Sequence, residues 1–215
     1  MIGENEMSLV QVVILEEYIV VFSDTRGTHS DGRIVKDFKK VIRLNDKMAY
    51  GMTGGSLDCY KLIDGLCSFH QTQGVSSSKL TDNVNYENLL KFMTAQYCKL
   101  KQNSLLTNHN YDICSVLCGQ NQDKLQITLF ALGNEYIPDG IYNFFKGEKP
   151  YYLISLGMRE HGEMFDKLAG EILLDKIFLG VGDCHLIAKQ VFNAGVLIDN
   201  SIDNNLQTEI LKIRR

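Results

Sequence analysis

The sequence predicts an α+β fold in which β-sheets stack face to face and helices cover their outer surfaces. Apolar runs of strand length occur in three groups, and segments with helical spacing occur as two pairs between those groups. This order differs from the strand–helix alternation of a parallel fold. With no internal repeat, no proline-rich linker and only two prolines in 215 residues, one domain is expected.

The overall composition argues against several classes of partner and location. The chain is 45% hydrophobic and 22% charged, which is ordinary for a soluble globular protein. A net charge of -4 does not favour nucleic acid or an anionic membrane as a partner. No apolar run approaches the roughly 20 residues of a membrane span, and the polar start MIGENE is unlike a signal peptide. We therefore expect a cytoplasmic protein.

Six cysteines lie in apolar surroundings, and none forms a CxxC pair: Cys59, Cys67, Cys98, Cys114, Cys118 and Cys184. Reduced, buried thiols are favoured over a disulfide framework. Cys114 and Cys118 share a strand-like run but have no histidine pair nearby, which disfavours zinc. Neither a metal nor another cofactor is expected.

Two hairpins and a helix are predicted at the start of the chain. The four strand-like runs pair as Leu9–Leu15 with Tyr18–Phe22, and Ile34–Leu44 with Lys47–Met52. The polar pairs Glu16-Glu17 and Asn45-Asp46 form the turns, and Gly54-Gly55 ends the second hairpin. Ser56 is the expected N-cap of a helix that runs to about Phe69.

A polar loop over residues 71–85 precedes the remaining elements. A second helix is predicted from about Tyr86 to Lys101, followed by a polar break over residues 102–110. The further strand predictions are Ile113–Cys118, Leu125–Leu132, Ile141–Phe145, Tyr151–Leu156 and the closing Glu209–Ile213. Two helices are predicted before the closing strand: Met158–Leu174, and Cys184–Val196 with Asp183 as its N-cap.

Three motifs in the opening stretch carry polar and glycine residues at strand ends: Asp24-Thr25-Arg26-x-Thr28, Lys39-Lys40-Val41, and Ala49–Gly55 followed by Asp58. Together they resemble the proteasome β-subunit family, and still more its bacterial member HslV, a peptidase that works with an ATPase ring. Asp24-Thr25-Arg26-x-Thr28 resembles the family's Asp-x-Arg-x-Thr, and Lys39-Lys40-Val41 resembles its Lys-Lys-Val. The run Ala49–Gly55, followed by Asp58, resembles the glycine-containing strand end that opens the family's first helix. The family spacing is kept without a gap from Ser8 to Leu44.

The resemblance implies a four-layer α-β-β-α sandwich, with one domain over residues 8–215, and an N-terminal nucleophile hydrolase. Ser8 then takes the first mature position, where the proteasome has threonine. Its hydroxyl is the expected nucleophile and its α-amine the base, since a reference pKa of about 7.7–8.0 suits that task. Lys40 is expected beside the hydroxyl, held by Asp24, and the Gly51 N–H is expected to stabilise the oxyanion.

Other site positions follow from the same resemblance. Ser155 takes the place of the serine in the family's Gly-Ser-Gly, with the segment 179–182 as a rival match, and Asp199 takes the place of the acid in its closing Asp-x-x-Ser-Gly. The positions matching the substrate-binding residues are Arg26, Gly27, Thr28, Phe38, Ile42, Ala49 and Thr53. A small Ala49 with apolar Phe38 and Ile42 predicts that the substrate offers an apolar side chain.

The residues before Ser8 decide its reactivity, since an N-terminal nucleophile needs a free α-amine. Residues 1–7 are interpreted as a short propeptide, or as a mis-annotated start with translation beginning at Met7. The leading expectation is a peptidase that acts on peptide or protein substrates as a homo-oligomeric ring with an ATPase partner. The alternatives are a non-catalytic, proteasome-like scaffold subunit and an amidase for small molecules.

Overall fold

A computed structural model of the chain describes residues 9–15, 17–28, 33–64, 84–134, 136–145, 151–157, 162–178, 184–198 and 202–212. The strands in these ranges are β1 (Val10–Ile14), β2 (Tyr18–Asp24), β3 (Gly27–Thr28), β4 (Ile34–Val35), β5 (Val41–Arg43), β6 (Met48–Gly54), β7 (Ile113–Asn121), β8 (Lys124–Leu132), β9 (Gly140–Phe145), β10 (Tyr152–Leu156) and β11 (Leu206–Lys212). The helices are α1 (Ser56–Tyr60), α2 (Tyr86–Thr107), α3 (Gly162–Phe178) and α4 (Cys184–Ile198).

The strands form two large sheets in which neighbouring strands are antiparallel. One sheet has the order β10-β1-β2-β11, and the other has the order β5-β6-β7-β8-β9. Strands β3 and β4 form a separate short ladder. The first predicted hairpin is confirmed, since β1 and β2 pair from Val10 opposite Ser23 to Ile14 opposite Ile19.

Side-chain alternation along the strands produces the layers. In β1, Val10 and Val12 belong to the core between the two sheets, whereas Leu9 and Val13 pack with residues of α3 and α4 such as Phe165. The outer face of the second sheet packs against α1 and α2 in the same manner. Because successive strand residues face opposite sides, both sheets are covered twice. The predicted four-layer α-β-β-α sandwich of the α+β class is confirmed.

The second predicted hairpin is shorter than expected. Its first run, Ile34–Leu44, is interrupted because β4 ends at Val35 and Asp37 adopts a left-handed conformation with φ of 60°. The turn at Asn45 is confirmed, with the Asn45 side chain accepting the Lys47 N–H at 2.9 Å. After this break, Lys40 lies immediately before β5.

Helix ends differ from the predictions. Gly55, not Ser56, is the N-cap of α1, with no side-chain cap, and the predicted continuation to Phe69 passes beyond residue 64, where the described segment ends. Asn85 caps α2 by accepting the Asn88 N–H at 2.8 Å, and the helix continues through most of the predicted polar break to Thr107. Helical residues there are mostly exposed, so apolar periodicity could not reveal them.

Elements near the carboxyl terminus also shift by a few residues. Strand β11 starts at Leu206, three residues before the predicted strand, whereas the predicted start of α3 at Met158 lies outside the described residues. The proposed N-cap Asp183 lies outside the described residues. None of the helices in the described ranges combines the length and apolarity that crossing a membrane requires.

None of the cysteines in the described ranges forms a disulfide: Cys59, Cys98, Cys114, Cys118 and Cys184. Burial raises the pKa of the Cys114 and Cys118 thiols to about 12. Such thiols stay protonated at neutral pH and are poor nucleophiles. The described ranges contain no group of three or more His, Cys, Asp or Glu side chains arranged to hold a metal ion.

Candidate active site

The carboxylate of Asp24, at the end of β2, is the centre of the candidate site. Its Oδ1 accepts the Lys40 ammonium at 2.6 Å and the Leu9 backbone N–H at 3.0 Å, and its Oδ2 accepts the Arg26 backbone N–H at 3.1 Å. The side chain is 0% exposed. A buried carboxylate is tolerated only with such partners. Three donors from separate parts of the chain therefore meet at one residue.

Lys40 is held on both sides of its backbone and at its ammonium. Its N–H donates to Gln207 Oε1 at 3.0 Å, and its carbonyl accepts the Met52 N–H at 3.0 Å. Desolvation by burial lowers the pKa of Lys40, while the charges of Asp24 and, more weakly, Asp203 raise it. The ammonium is thus a buried cation whose charge depends on nearby carboxylates.

Gln207 of β11 joins the two sheets at this site, and the sequence interpretation missed it. Its Oε1 accepts the Lys40 N–H and also the Ser23 hydroxyl at 3.3 Å. Gln207 and Ser23 are register partners in the first sheet, whereas Lys40 leads into the second. A single glutamine in a strand carries no sequence signal for such a contact.

Asp203 is a second residue that the sequence interpretation missed. Its Oδ2 accepts the Thr25 hydroxyl at 3.5 Å, and its Oδ1 accepts the Asn205 N–H at 2.9 Å. The acid predicted for this segment was Asp199, which lies outside the described residues, as does Ser8. Within the described ranges, Asp203 is therefore the acid that this segment brings next to Lys40.

Gly51 does not suit the role of oxyanion donor. Because the Met52 N–H points to Lys40, and successive N–H groups of a strand alternate, the Gly51 N–H points the other way, to its partner Val116 in β7. A Cβ on Gly51 would meet Val10 Cγ1 at 2.8 Å. Glycine is needed here because the two sheets approach closely, not for substrate contact.

Gly54, at the end of β6, has the backbone geometry that Gly51 lacks. Its N–H points to the same side as that of Met52, but two residues, or about 7 Å, further along the strand and past the start of β5. The residue is exposed and has φ of +86°, which favours glycine. A Cβ there would meet Asp112 Oδ1 at 2.7 Å.

Ser155 faces the helices and forms its hydrogen bonds away from the Asp24 carboxylate. It lies opposite Gln11 in the β1–β10 ladder and accepts the Gln11 Nε2–H at 2.6 Å. Its hydroxyl donates to Asp166 Oδ1 of α3. Burial raises the pKa of Asp166, while this hydrogen bond lowers it. The rival segment 179–182 lies outside the described residues.

The predicted apolar substrate pocket is not formed by its five residues together. Ile42 is 2% exposed and packs under α1 and α2, whereas Ala49 is 0% exposed and packs between the sheets. These side chains face opposite sides of one sheet. Thr53 is also buried, at 6% exposed, while Gly27 lies against the Phe38 side chain, because a Cβ at position 27 would meet Phe38 Cγ at 3.0 Å.

A cleft of about 330 Å³ opens beside the candidate site. Arg26 lines it, two residues after Asp24, and so do Lys36 and Asp203. Thr28, the remaining predicted substrate-binding position, pairs with Ile34 in the β3–β4 ladder. The lining of the cleft comes from three parts of the chain: residue 26, residues 34–36 and residues 202–205.

No family model and no curated protein matches the sequence. Solved structures do match its fold. Anbu (ancestral beta-subunit) from Yersinia bercovieri superposes with a TM-score of 0.62 at 12% identity, covering 95% of this chain and 81% of that one. The chain has a proteasome-like fold. Eukaryotic HslV from Trypanosoma brucei superposes with a TM-score of 0.55 at 15% identity, covering 95% of this chain and 99% of that one. A chain of the Anbu complex from Pseudomonas aeruginosa, a helical assembly, superposes with a TM-score of 0.60 at 14% identity, covering 95% of this chain and 81% of that one. Identities this low bear on the fold alone.

Proposed function

We propose that the protein hydrolyses amide bonds, as a peptidase, with Ser8 as its N-terminal nucleophile once residues 1–7 are absent. One observation carries the proposal: the Asp24 carboxylate binds both the Lys40 ammonium and the Leu9 backbone nitrogen. That nitrogen is the atom to which Ser8 is covalently bonded. A buried cation is therefore held next to the start of the proposed mature chain.

The proposed reaction is acyl transfer. The free α-amine of Ser8 accepts the proton of the seryl hydroxyl as the oxygen attacks the substrate carbonyl carbon. The protonated amine then donates a proton to the departing substrate nitrogen, which leaves an ester on Ser8. Water, deprotonated by the same amine, attacks the ester and releases the acid and free Ser8. The Lys40 ammonium favours the negative charge that develops on the seryl oxygen.

The oxyanion donor in this proposal is the Gly54 backbone N–H, in place of Gly51. Its direction past the start of β5 supports this assignment, because an oxyanion needs a donor that the sheet does not use. The Gly51 N–H points into the ladder with β7. Asp203, through the Lys40 charge, replaces Asp199 as the supporting acid that the described residues offer.

Two forms of the chain test the nucleophile. One form is released from a cleavable fusion so that Ser8 is the first residue, and the other retains residues 1–7. We expect the first form to hydrolyse fluorogenic peptides and to gain the mass of an electrophilic β-lactone on Ser8, since ring opening by the hydroxyl leaves an ester. Ser8→Ala in the same form is the matched control. Equal hydrolysis by Ser8→Ala would exclude Ser8 as the nucleophile.

The native start of the chain requires its own measurement. Intact-mass analysis of the protein from its natural host distinguishes removal or absence of residues 1–7 from their retention. We expect a chain that begins at Ser8. A native chain that begins at Met1 would favour a non-catalytic, proteasome-like subunit, a role that also agrees with the engagement of the Ser155 hydroxyl by Gln11 and Asp166.

We also propose that the protein forms a homo-oligomer, with a ring as the arrangement expected of a compartmental peptidase. Large apolar side chains exposed on the helices support association through either helix layer: Leu105 and Leu106 of α2 at 77%, and Leu197 of α4 in the opposite layer at 88%. Light scattering tests this. A monomer that hydrolyses only small amides would instead indicate an amidase. Co-purification with an ATPase would test the ATPase partner that the sequence resemblance implies.

A further inference from the structure

We propose that the cleft lined by Arg26 and Lys36 binds a carboxylate of the substrate, so that the enzyme prefers acidic peptides. This inference rests on the proposed function, because it names the substrate class of the same site. It also departs from the apolar preference that the sequence predicts. The cleft starts two residues after Asp24 and is therefore close to the bond that would be cleaved.

Two cations line the cleft, Lys36 and Arg26. Lys36 lies in the sequence RIVKDFKK (residues 33–40), whose Lys40 is instead buried and paired with Asp24. Lys36 is exposed, lines the cleft and has no ion pair with any residue in the described ranges. Arg26 adds a guanidinium from the facing segment. An ammonium and a guanidinium that border one cleft match a carboxylate ligand.

The acid in the cleft does not cancel this charge. Both oxygens of Asp203 are engaged, one by the Asn205 N–H and one by the Thr25 hydroxyl. Its charge also acts on the buried Lys40. Among the lining residues Asp203 is the one acid, so its single negative charge stands against the two cations Lys36 and Arg26 and leaves the lining net positive.

The rest of the lining suits an acid on an aliphatic stem. Ile34 and Ile202 provide apolar surface, and the side-chain amide of Asn204 provides further hydrogen-bonding groups. A glutamate side chain has methylene groups for the isoleucines and a carboxylate for the cations. By contrast, Ile42 and Ala49 of the predicted apolar pocket are buried and face opposite sides of their sheet. The described geometry favours the acidic preference.

The experiment compares fluorogenic peptides that differ at one position, with glutamate, its isostere glutamine, leucine or lysine there. We expect kcat/KM to be about threefold or more higher for glutamate than for glutamine, the size of a solvated ion pair. Lys36→Glu should abolish or reverse that ratio. Lys47→Glu is the matched control, since it makes the same charge change in the turn at the opposite end of β6, and it should leave the ratio intact. A further pair, ending in a free or an amidated carboxyl terminus, distinguishes a terminal carboxylate from an acidic side chain.

A binding measurement separates this inference from the proposed function. Fluorescence polarisation of the labelled glutamate and glutamine peptides is measured on the Ser8→Ala chain, which lacks the proposed nucleophile. Tighter binding of the glutamate peptide, lost in a Ser8→Ala/Lys36→Glu chain, supports the cleft even if no peptide is hydrolysed. Hydrolysis with equal glutamate and glutamine rates, or with leucine preferred, overturns the inference while the proposed function stands. Equal effects of Lys36→Glu and Lys47→Glu also overturn it.

Discussion

Replacing Lys40 by methionine removes the cation from the buried pair but keeps a side chain of similar length. Asp24 is 0% exposed and would retain only the backbone donors of Leu9 and Arg26. Removing one partner of a buried ion pair costs about 3–5 kcal/mol of unfolding free energy, because the remaining charge is uncompensated. For a protein of this size, 1 kcal/mol shifts the melting midpoint by about 2–4 °C. We therefore expect Lys40→Met to lower the midpoint by about 6–20 °C.

Thermal unfolding followed by circular dichroism measures this shift. Lys91→Met is the matched control: its ammonium pairs with Glu87 at 2.8 Å, but both groups are exposed, so the midpoint should stay unchanged within error. In the double variant Asp24→Asn/Lys40→Met the loss should be smaller than the sum of the two single losses, since no charge is left buried. If Lys40→Met melts with the Lys91→Met control, the reasoning about Asp24 fails.

Three further predictions follow from the same site. The pKa of Lys40 is lowered on folding, so between its pKa in the folded chain and about 10.4 the unfolded chain binds more protons than the folded chain. Wild type should therefore gain stability relative to Lys40→Met as the pH rises through that window, which urea titrations at several pH values measure. Gly54→Ala should abolish peptide hydrolysis. Gly51→Ala should instead lower the free energy of unfolding by about 1–3 kcal/mol through overpacking and leave hydrolysis by the folded fraction intact. Equal losses of hydrolysis in the two variants would return the oxyanion role to Gly51. Ser155→Ala should lower the melting midpoint but not kcat, and a kcat loss beyond tenfold would restore its catalytic role.

Periodicity and motif spacing predict the sheets and the Asp24–Lys40 pair well. Strands β1 and β2 are visible in the sequence as near-continuous apolar runs because each strand buries both faces, one against the other sheet and one against helices. The motif residues Asp24 and Lys40 are 16 positions apart, and the structure joins them at 2.6 Å. Neither residue is informative alone, since charged side chains are common where a strand reaches the surface; the signal lies in the spacing of the motif residues as a set.

The sequence does not predict the direction of the backbone N–H groups in β6. Gly51 and Gly54 are both glycines in one motif, yet their N–H groups point to opposite edges of β6. That difference depends on which residue of β6 pairs with β5, and no side chain encodes it. Ser155 illustrates the same limit, because its place in the ladder opposite Gln11 turns it toward α3.

The sequence also does not predict polar contacts between residues that are far apart in the chain. Gln207 lies 167 positions from Lys40, and Asp203 lies 178 positions from Thr25. Neither residue belongs to a motif, and each becomes informative only once β11 is placed beside β2. The α2 extension to Thr107 was missed for a related reason, since a helix that projects from the core has no apolar stripe.

The burial of Asp24 ties the assembly of the candidate site to the formation of the fold. Its carboxylate needs the Lys40 ammonium and the Leu9 and Arg26 N–H groups at once, so these donors assemble whenever the sandwich forms. A catalytic subunit and a scaffold subunit would both gain from that arrangement. The feature that differs between them is the amine of residue 8, which is free in one and a peptide nitrogen in the other. A peptide nitrogen cannot accept the hydroxyl proton. Under the proposed function we therefore expect activity to depend on the covalent state of Ser8, and stability to depend on Asp24 and Lys40.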